Sequence, residues 1–257
     1  MDINASTSSS VASRSSPGSS SIDAVSAASR RSAQSLSQET ESTKVRLSAY
    51  GQVKSAVAEV QTAAKGLQDS KQLQTADSAR KAAEAFVKAY NAENKTTTDV
   101  TRRKGSDGAA GALADDPLAR SASSGLQRTV RNSDAELKQA GITRQKDGTL
   151  AVDAKAFDAA YAKDASAVKG ALGTIGTRVD SVATRQLSSA GTVGRTVDSL
   201  NSKVTNLENK QANQQANQQD LQSLLDASRR QVEEQASRFS TGPFASGVAA
   251  YKGIFSI

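Results

Sequence analysis

Residues 191–241 read GTVGRTVDSLNSKVTNLENKQANQQANQQDLQSLLDASRRQVEEQASRFST and carry the most regular pattern of the chain. Apolar and amide side chains recur there at alternating intervals of four and three residues over more than six heptads, which is the repeat of a coiled coil. The pattern predicts one long coiled-coil helix over 191–241. Its seam positions are Val193, Val197, Leu200, Val204, Leu207, Gln211, Gln214, Gln218, Leu221, Leu225, Ser228, Val232, Gln235 and Phe239.

Three consecutive seam positions in this helix are amides, Gln211, Gln214 and Gln218. Polar seam residues reduce the stability of a coiled coil and can set its register or its number of partners. The alternative is that the Gln/Asn stretch is a weakly packed or frayed part of the helix. Both interpretations are open, and the second is the one we prefer from the sequence.

The N-terminal part of the chain contains a second helical stripe, which predicts a helix over 36–70. A single narrow stripe needs a partner, and the other terminal helix is the nearest candidate. We therefore expect the two terminal helices to pair as a coiled coil and to form a stalk. The members of this stripe, at spacings of three and four residues, are Leu47, Tyr50, Val53, Val57, Val60, Ala64 and Leu67.

The two ends of the chain have a different composition. Ser occupies 16 of the first 42 positions, and the few apolar residues there form no face, so residues 1–35 are expected to be disordered when alone. This segment is either an unfolded export signal or a flexible tail of no consequence. At the other end, Gly242-Pro243 must break the helix, which leaves 242–257 as a tail.

Between the two coils, residues 71–190 are predicted to form a small helical domain. Asp116-Pro117 has the composition of a helix start, with Asp as the N-cap and Pro at the first helical position. The only convincing strand signal lies at 142–152, where two short β-type segments flank Asp147-Gly148, a dipeptide favoured in two-residue hairpin turns. The fold class is therefore mainly α, an elongated helical protein with one β-hairpin in its centre.

Composition excludes several classes of function. The 257 residues include no Cys and no His, which rules out thiolate nucleophiles, disulfides, zinc fingers and imidazole bases. Leu, Ile, Val and Phe make up about 18% of the chain, which favours long thin helices over one thick core. The net charge is +7, but the basic pairs are scattered among acids and lack interleaved aromatics, so nucleic-acid binding is not expected. No stretch is apolar for long enough to span a membrane.

Four stretches together resemble the flagellar filament cap protein family, also called flagellar hook-associated protein 2. LSAYGQVKSA at 47–56 is similar to the N-terminal helix of the family, and FVKAYN at 86–91 to the segment where its chain re-enters the helical domain. Residues 140–153 resemble the hairpin of the family, and VEEQASRF at 232–239 resembles its C-terminal helix. The resemblance covers roughly 36–240 and indicates a short form, because only Gln68–Ala85 stand where family members usually carry two β-rich domains.

The resemblance implies a protein that is exported unfolded through the flagellar channel and assembles as a ring at the filament tip, where it guides flagellin into place. Implied partners are further copies of itself in a ring-like homo-oligomer, flagellin, the hook–filament junction proteins and a flagellar export chaperone. The implied location is extracellular, on the bacterial flagellum. No cofactor, metal, nucleic acid or membrane insertion is expected, and the site residues are those of the coiled-coil seam.

Two alternatives remain. The first is a secreted coiled-coil interaction protein without capping activity, such as an adhesin-like component or a secretion-system effector. The second is an enzyme, which we do not expect, because the adjacent acids Asp115-Asp116 and Glu233-Glu234 point away from each other on a helix. The glycines at 105–111 also lack the Lys-Ser/Thr and the preceding strand of a phosphate-binding loop.

Overall fold

The structure of the protein is a computed structural model that describes residues 17–105 and 108–241, with side chains over 26–105, 108–235 and 237–238. Within these ranges helices dominate, and two strands form one antiparallel hairpin. The prediction of a mainly α fold with a hairpin is confirmed. The elements are α1 (Pro17–Gly66), α2 (Ala76–Thr101), α3 (Pro117–Arg131), α4 (Asp134–Gln139), β1 (Ile142–Arg144), β2 (Leu150–Val152), α5 (Ala154–Lys163), α6 (Ala165–Leu187) and α7 (Thr192–Thr241).

The chain divides into two compact units, and the long helices α1 and α7 contribute to both. The central unit is Thr40–Thr205, and the terminal unit combines the residues up to Glu39 with those from Asn206 onward. These limits differ from the predicted boundaries at 71 and 190. The reason is that α1 after Thr40 and α7 before Thr205 carry buried apolar side chains that join the core of the central unit.

Helix α1 begins at Pro17, so residues 17–35, which were expected to be disordered when alone, are helical in a chain where α7 pairs with them, and the predicted helix start at 36 was too late. Residues 1–16 and the predicted tail 242–257 lie outside the described residues. The Ser-rich stretch 17–35 forms a helix because it has a partner. Side chains of α7 donate hydrogen bonds to α1 within the terminal unit. A partner offsets the ordering entropy that such a segment cannot offset alone.

The core of the central unit is built from all seven helices and the hairpin. Its largest fully buried side chains are spread over α1, α2, α3, α4, β1, α5 and α6, while α7 adds smaller apolar residues from its first turns. They include Tyr50, Leu67, Phe86, Tyr90, Leu126, Leu137, Ile142, Phe157, Leu172 and Ile175. A thin but continuous core of this kind agrees with the low content of large apolar residues.

Near its C-terminal end, α1 packs against α6, whereas the sequence predicted that this part of α1 would pair with the C-terminal coiled-coil helix. Gln61 Nε2 donates to Asp180 Oδ1 at 3.0 Å, and Thr177 Oγ1 donates at 3.3 Å to Oε1 of Gln68, two residues beyond the end of α1. Residue numbers therefore rise along α1 as they fall along α6, and the two helices are antiparallel. The stripe on the end of α1 thus serves packing inside the central unit.

The hairpin has the predicted location with a longer turn. Ile142 pairs with Val152 and Arg144 with Leu150, and the Gln145 N–H donates to the Thr149 carbonyl at 2.7 Å. The loop is therefore three residues, 146–148, where two were expected. Gly148 has φ +86°, the left-handed conformation that closes three-residue loops of this kind.

Among the described residues, no helix is both long enough and apolar enough to cross a membrane.

Candidate functional site

The residues that the sequence assigned to the coil seam fall into three groups by burial. Nine are buried, namely Tyr50, Val53, Val57, Val60, Leu67, Val193, Val197, Leu200 and Leu207. Six are half-buried, namely Leu47, Val204, Gln211, Gln214, Gln218 and Leu225. Leu221 and Val232 are exposed, and Phe239 belongs to α7 but its side chain lies outside the described residues.

The structure does not bring these residues into one seam. The predicted residues from Leu47 to Leu67, with Val193, Val197 and Leu200, are part of the hydrophobic core of the central unit. Those from Leu207 onward belong to the terminal unit, where α7 faces the first part of α1. We call the latter contact the terminal seam; its α7 members are Leu207, Gln211, Gln214, Gln218 and Leu225.

Two of the three amides of the terminal seam contact the same residue of α1. Gln214 Nε2 donates to the main-chain carbonyl of Ser29 at 3.2 Å, and Gln218 Nε2 donates to the Ser29 hydroxyl at 3.0 Å. A helical carbonyl points toward the C-terminus of its helix, whereas the side chain tilts toward the N-terminus. Because Gln214 takes the carbonyl and Gln218 the hydroxyl, α1 and α7 are antiparallel here.

The α1 side of the terminal seam was missed in the sequence. Ser26, Ser29, Ala33 and Leu36 are half-buried and follow one another at spacings of three, four and three. The heptad spacing is present in the sequence, but Leu36 is the one large apolar side chain among the four. The other three residues are too small or too polar to mark an apolar stripe. Short residues on α1 leave room for the longer glutamines of α7 in the same layers.

The exposure of Val232, which is 62%, has a geometric cause. Ser29 lies opposite the Gln214–Gln218 turn, and α1 begins twelve residues earlier, at Pro17. Two antiparallel helices have the same rise per residue, so α1 accompanies α7 only to about residue 228. The heptad pattern of the sequence continues past that point, while the described part of its intrachain partner does not.

A second polar contact ties α1 to the start of α3. Arg46 Nη2 lies 2.8 Å from Asp116 Oδ2, and Asp116 Oδ1 accepts from the Leu118 N–H at 3.0 Å, so the predicted N-cap is confirmed. Burial favours the neutral form of the Asp116 carboxyl, but the Arg46 guanidinium and the helix amides outweigh it and hold its pKa below the usual value. Burial also raises the pKa of the neighbouring Tyr50 hydroxyl.

One acidic side chain lies inside the central unit, and nothing in the sequence singled it out. Glu93 of α2 is fully buried, and its Oε1 accepts from Thr97 Oγ1 at 2.9 Å. Oε2 has no hydrogen-bond partner among the described residues. Burial raises the pKa of Glu93 to about 7, against the opposing effect of the nearby Thr97 and Ser123 hydroxyl groups. A polar residue amid an apolar helical stripe is the one signal that could have revealed it.

Comparison with known proteins gives one match. The family model of the flagellar hook-associated protein 2 C-terminus matches residues 74–241, which comprise the whole of α2 to α7 and about two thirds of the chain. No curated protein and no solved structure matches the chain. The matched range includes the hairpin and the α7 side of the terminal seam. The chain therefore belongs to the family of the flagellar hook-associated protein 2 C-terminus.

Proposed function

We propose that this chain is a structural and assembly protein of the bacterial flagellum, which caps the filament tip as a homo-oligomer and guides flagellin polymerisation. The observation that carries the proposal is the pairing of the first part of α1 with the last part of α7, at Ser29, Gln214 and Gln218, in a member of this family. Further copies of the chain, flagellin, the hook–filament junction proteins and an export chaperone are the proposed partners. Its proposed location is extracellular, on the flagellum.

The chemistry of the terminal seam supports an assembly role. A cap must release and re-form contacts each time a subunit enters beneath it, so its moving contacts have to be weak and specific. Side-chain amides that bond to a hydroxyl and a carbonyl are of this kind, because water replaces them at little cost when they open. The proposed action is mechanical, through contacts between helices, and requires no catalytic step.

The sequence is also compatible with export in the unfolded state. The chain has no Cys, so no disulfide has to be broken before passage through a narrow channel. Its core consists of thin helices with few large side chains. Such a fold loses comparatively little buried area on unfolding.

Deletion of the gene tests the proposal. Unpolymerised flagellin should accumulate in the culture medium, with filaments short or absent, and the parent gene should restore them. Normal filaments without leaked flagellin would reject capping. They would favour the alternative of a secreted coiled-coil protein that has kept the helical fold of the family for another interaction.

A matched pair of variants links this readout to the seam. Gln214→Ala/Gln218→Ala removes both bonds to Ser29, whereas Gln215→Ala/Gln219→Ala makes the same change at exposed neighbouring positions. In the deletion strain, the gene with Gln214→Ala/Gln218→Ala should give shorter filaments than the parent gene. The gene with Gln215→Ala/Gln219→Ala should give filaments of normal length. Equal filament lengths with both double variants would show that the contacts of Gln214 and Gln218 with Ser29 are not needed for filament assembly.

A further inference from the structure

We propose that the cleft between α3 and α6 is a docking site for an acidic peptide segment of a partner protein, bound in an extended conformation with two carboxylates three residues apart. The cleft lies within the central unit and has a volume of about 520 Å³. Its lining includes Thr129, Asn132, Arg178, Ser181 and Arg185. The inference rests on the geometry and the charges of these two helices and does not depend on the proposed function.

Contacts at both ends of the cleft fix its two walls. Gln186 Nε2 of α6 donates to the Ala122 carbonyl of α3 at 2.6 Å, and Arg178 Nη1 donates at 3.2 Å to Oγ of Ser133, just beyond the end of α3. Residue numbers therefore rise along α3 as they fall along α6, and the two helices are antiparallel. Because both helices contribute to the hydrophobic core of the central unit, a ligand meets a preformed site, which lowers the entropic cost of binding.

Both walls of the cleft carry an excess of positive charge. Helix α3 has three arginines and no acid, and α6 has three basic residues and one acid, Asp180. Asp180 Oδ1 accepts from Gln61 Nε2 of α1, so this carboxylate is turned toward α1 and does not line the cleft. An uncompensated charge of this sign attracts anionic groups. The basic residues are Arg120, Arg128 and Arg131 on α3 and Lys169, Arg178 and Arg185 on α6.

Two of these arginines, Arg178 and Arg185, line the cleft and have donors to spare. The Arg185 side chain is exposed and has no hydrogen-bond or ion-pair partner among the described residues. Arg178 uses only Nη1, which bonds to Ser133 and to Glu136 Oε1 at 2.8 Å, so its other nitrogens keep their donors. The contact with Glu136 shows that a carboxylate reaches Arg178 at hydrogen-bond distance.

The spacing of the two arginines selects the conformation of the ligand. They are seven residues apart on α6, which corresponds to two turns and to about 10 Å along the helix axis. In a polyproline II conformation, which short peptides commonly adopt, residues i and i+3 lie on the same face about 9 Å apart. Two acidic residues at this separation therefore contact both guanidinium groups at once, with charge-assisted hydrogen bonds.

Polar side chains beside the arginines can hold the main chain of such a peptide. Asn132 on one wall and Ser181 on the other make no side-chain hydrogen bond among the described residues. Both have donors for the carbonyl groups of the peptide, which a polyproline II chain leaves unpaired. A single-stranded nucleic acid is the competing polyanion, but no aromatic residue lines the described cleft to stack against bases, so the geometry favours a peptide.

Fluorescence anisotropy with the full-length protein and two labelled peptides tests the inference. Ser-Glu-Ala-Ser-Glu-Ser has its two acids three residues apart, and Ser-Ala-Glu-Glu-Ser-Ser has the same composition with the acids adjacent. The first peptide should bind with a Kd below about 1 mM, and the second at least about 3-fold more weakly, because it reaches one arginine only. Absence of binding at about 1 mM, or equal Kd values for the two peptides, would overturn the proposal.

A matched pair of arginine variants separates the cleft from the general charge of the chain. Arg185→Gln should raise the Kd of the first peptide about 5-fold. Arg103→Gln removes the same charge from an exposed loop position outside the cleft and should change the Kd less than about 2-fold. An equal loss of affinity in both variants would assign binding to the net charge of +7 and reject the site.

A carboxylate placed inside the cleft gives a second measurement. Ser181→Asp introduces a negative charge between Arg178 and Arg185 and should weaken the peptide about 10-fold, whereas Ser181→Asn has nearly the same shape without charge and should stay within about 2-fold. Circular dichroism confirms that both variants fold. Equal Kd values in the two variants would reject the charge contacts. A labelled oligothymidine that bound more tightly than the peptide, with the same loss in Arg185→Gln, would overturn the assignment to a peptide.

Discussion

Gly176 of α6 faces Ala64 of α1 so closely that a Cβ atom on the glycine would lie 2.5 Å from the Ala64 carbonyl oxygen. The contact is between two backbones, so no side-chain rotation can relieve it. It explains how two antiparallel helices approach closely in the core of the central unit, where Leu67 and Ile175 are fully buried.

Gly176→Ala is therefore expected to lower the free energy of unfolding by about 2 kcal/mol, because the helices must move apart. Gly173 lies one turn earlier on the same helix, and a Cβ there meets no atom within 4 Å. Gly173→Ala should raise stability by about 0.5–1 kcal/mol through helix propensity alone. Urea denaturation followed by circular dichroism measures both, and a destabilised Gly173→Ala would reject this assignment.

The buried carboxyl of Glu93 predicts a dependence of stability on pH. Its pKa is about 7 in the folded chain, against 4.5 as the ordinary value for the unfolded chain. A raised folded-state pKa gives stability that is full below pH 4.5 and is lost as the pH rises through 7. The difference between the two values corresponds to about 3 kcal/mol lost by about pH 8.

Glu93→Gln keeps the shape of the side chain and removes its ionisation. This variant should be as stable at about pH 8 as at about pH 5, and more stable than the parent at the higher pH. Glu84→Gln, at an exposed position of the same helix, should keep the pH profile of the parent. Denaturation curves across this pH range decide the matter, and a parent that gains stability with rising pH would contradict the prediction.

Val197 tests how α7 is divided between the two units. If Val197 lay on a seam between the two terminal helices, as the heptad pattern predicts, Val197→Asp would loosen both helices and leave the hairpin region folded. In the structure Val197 is 8% exposed and belongs to the same hydrophobic core as Ile142 and Leu150 of the hairpin. A buried unpaired carboxylate there should lower the stability of the whole central unit by about 3 kcal/mol or more.

The matched control for this change is Asn201→Asp, at an exposed position one turn further along α7. It should remain within about 0.5 kcal/mol of the parent. Limited proteolysis during thermal unfolding distinguishes the two expectations. Selective loss of the terminal helices in Val197→Asp, with protease-resistant hairpin residues, would favour a seam between the terminal helices at Val197.

Asn91 and the main chain of Leu150 give a fourth prediction. The Asn91 Oδ1 accepts from the Leu150 N–H at 2.8 Å, and Asn91 Nδ2 donates to the Leu150 carbonyl at 2.8 Å. Asn91→Ala leaves both main-chain groups without a partner and should cost about 2 kcal/mol in the free energy of unfolding. Lys88→Ala, at an exposed position of α2, should be neutral in the same chemical denaturation experiment, and equal losses in both variants would reject this role of the Asn91 amide.

The elements that the sequence identified were those with large apolar side chains at regular intervals or with a distinct cap or turn residue. The stripe from Tyr50 to Leu67, the N-cap Asp116 and the hairpin around Gly148 all have a local signature of this kind. The seam of α1 before Glu39 has the same heptad spacing, but Ser26 and Ser29 contribute too little apolar surface to mark it.

The contacts that sequence reasoning missed depend on residues far apart in the chain. Arg46 and Asp116 are separated by 70 positions, and Asn91 and Leu150 by 59. No periodicity connects such pairs, because their meeting depends on how several helices pack. The burial of Glu93 has the same origin, since the helical pattern alone does not say which polar residue on α2 faces the core.

The double contact of Asn91 has a consequence for association between chains. Each strand of a two-stranded hairpin has an outer edge whose main-chain groups can pair with a strand from another molecule. The Asn91 amide occupies the N–H and the carbonyl of Leu150 as the backbone of a third strand would. It thereby blocks the outer edge of β2 at Leu150 against the addition of a strand from another copy of this chain.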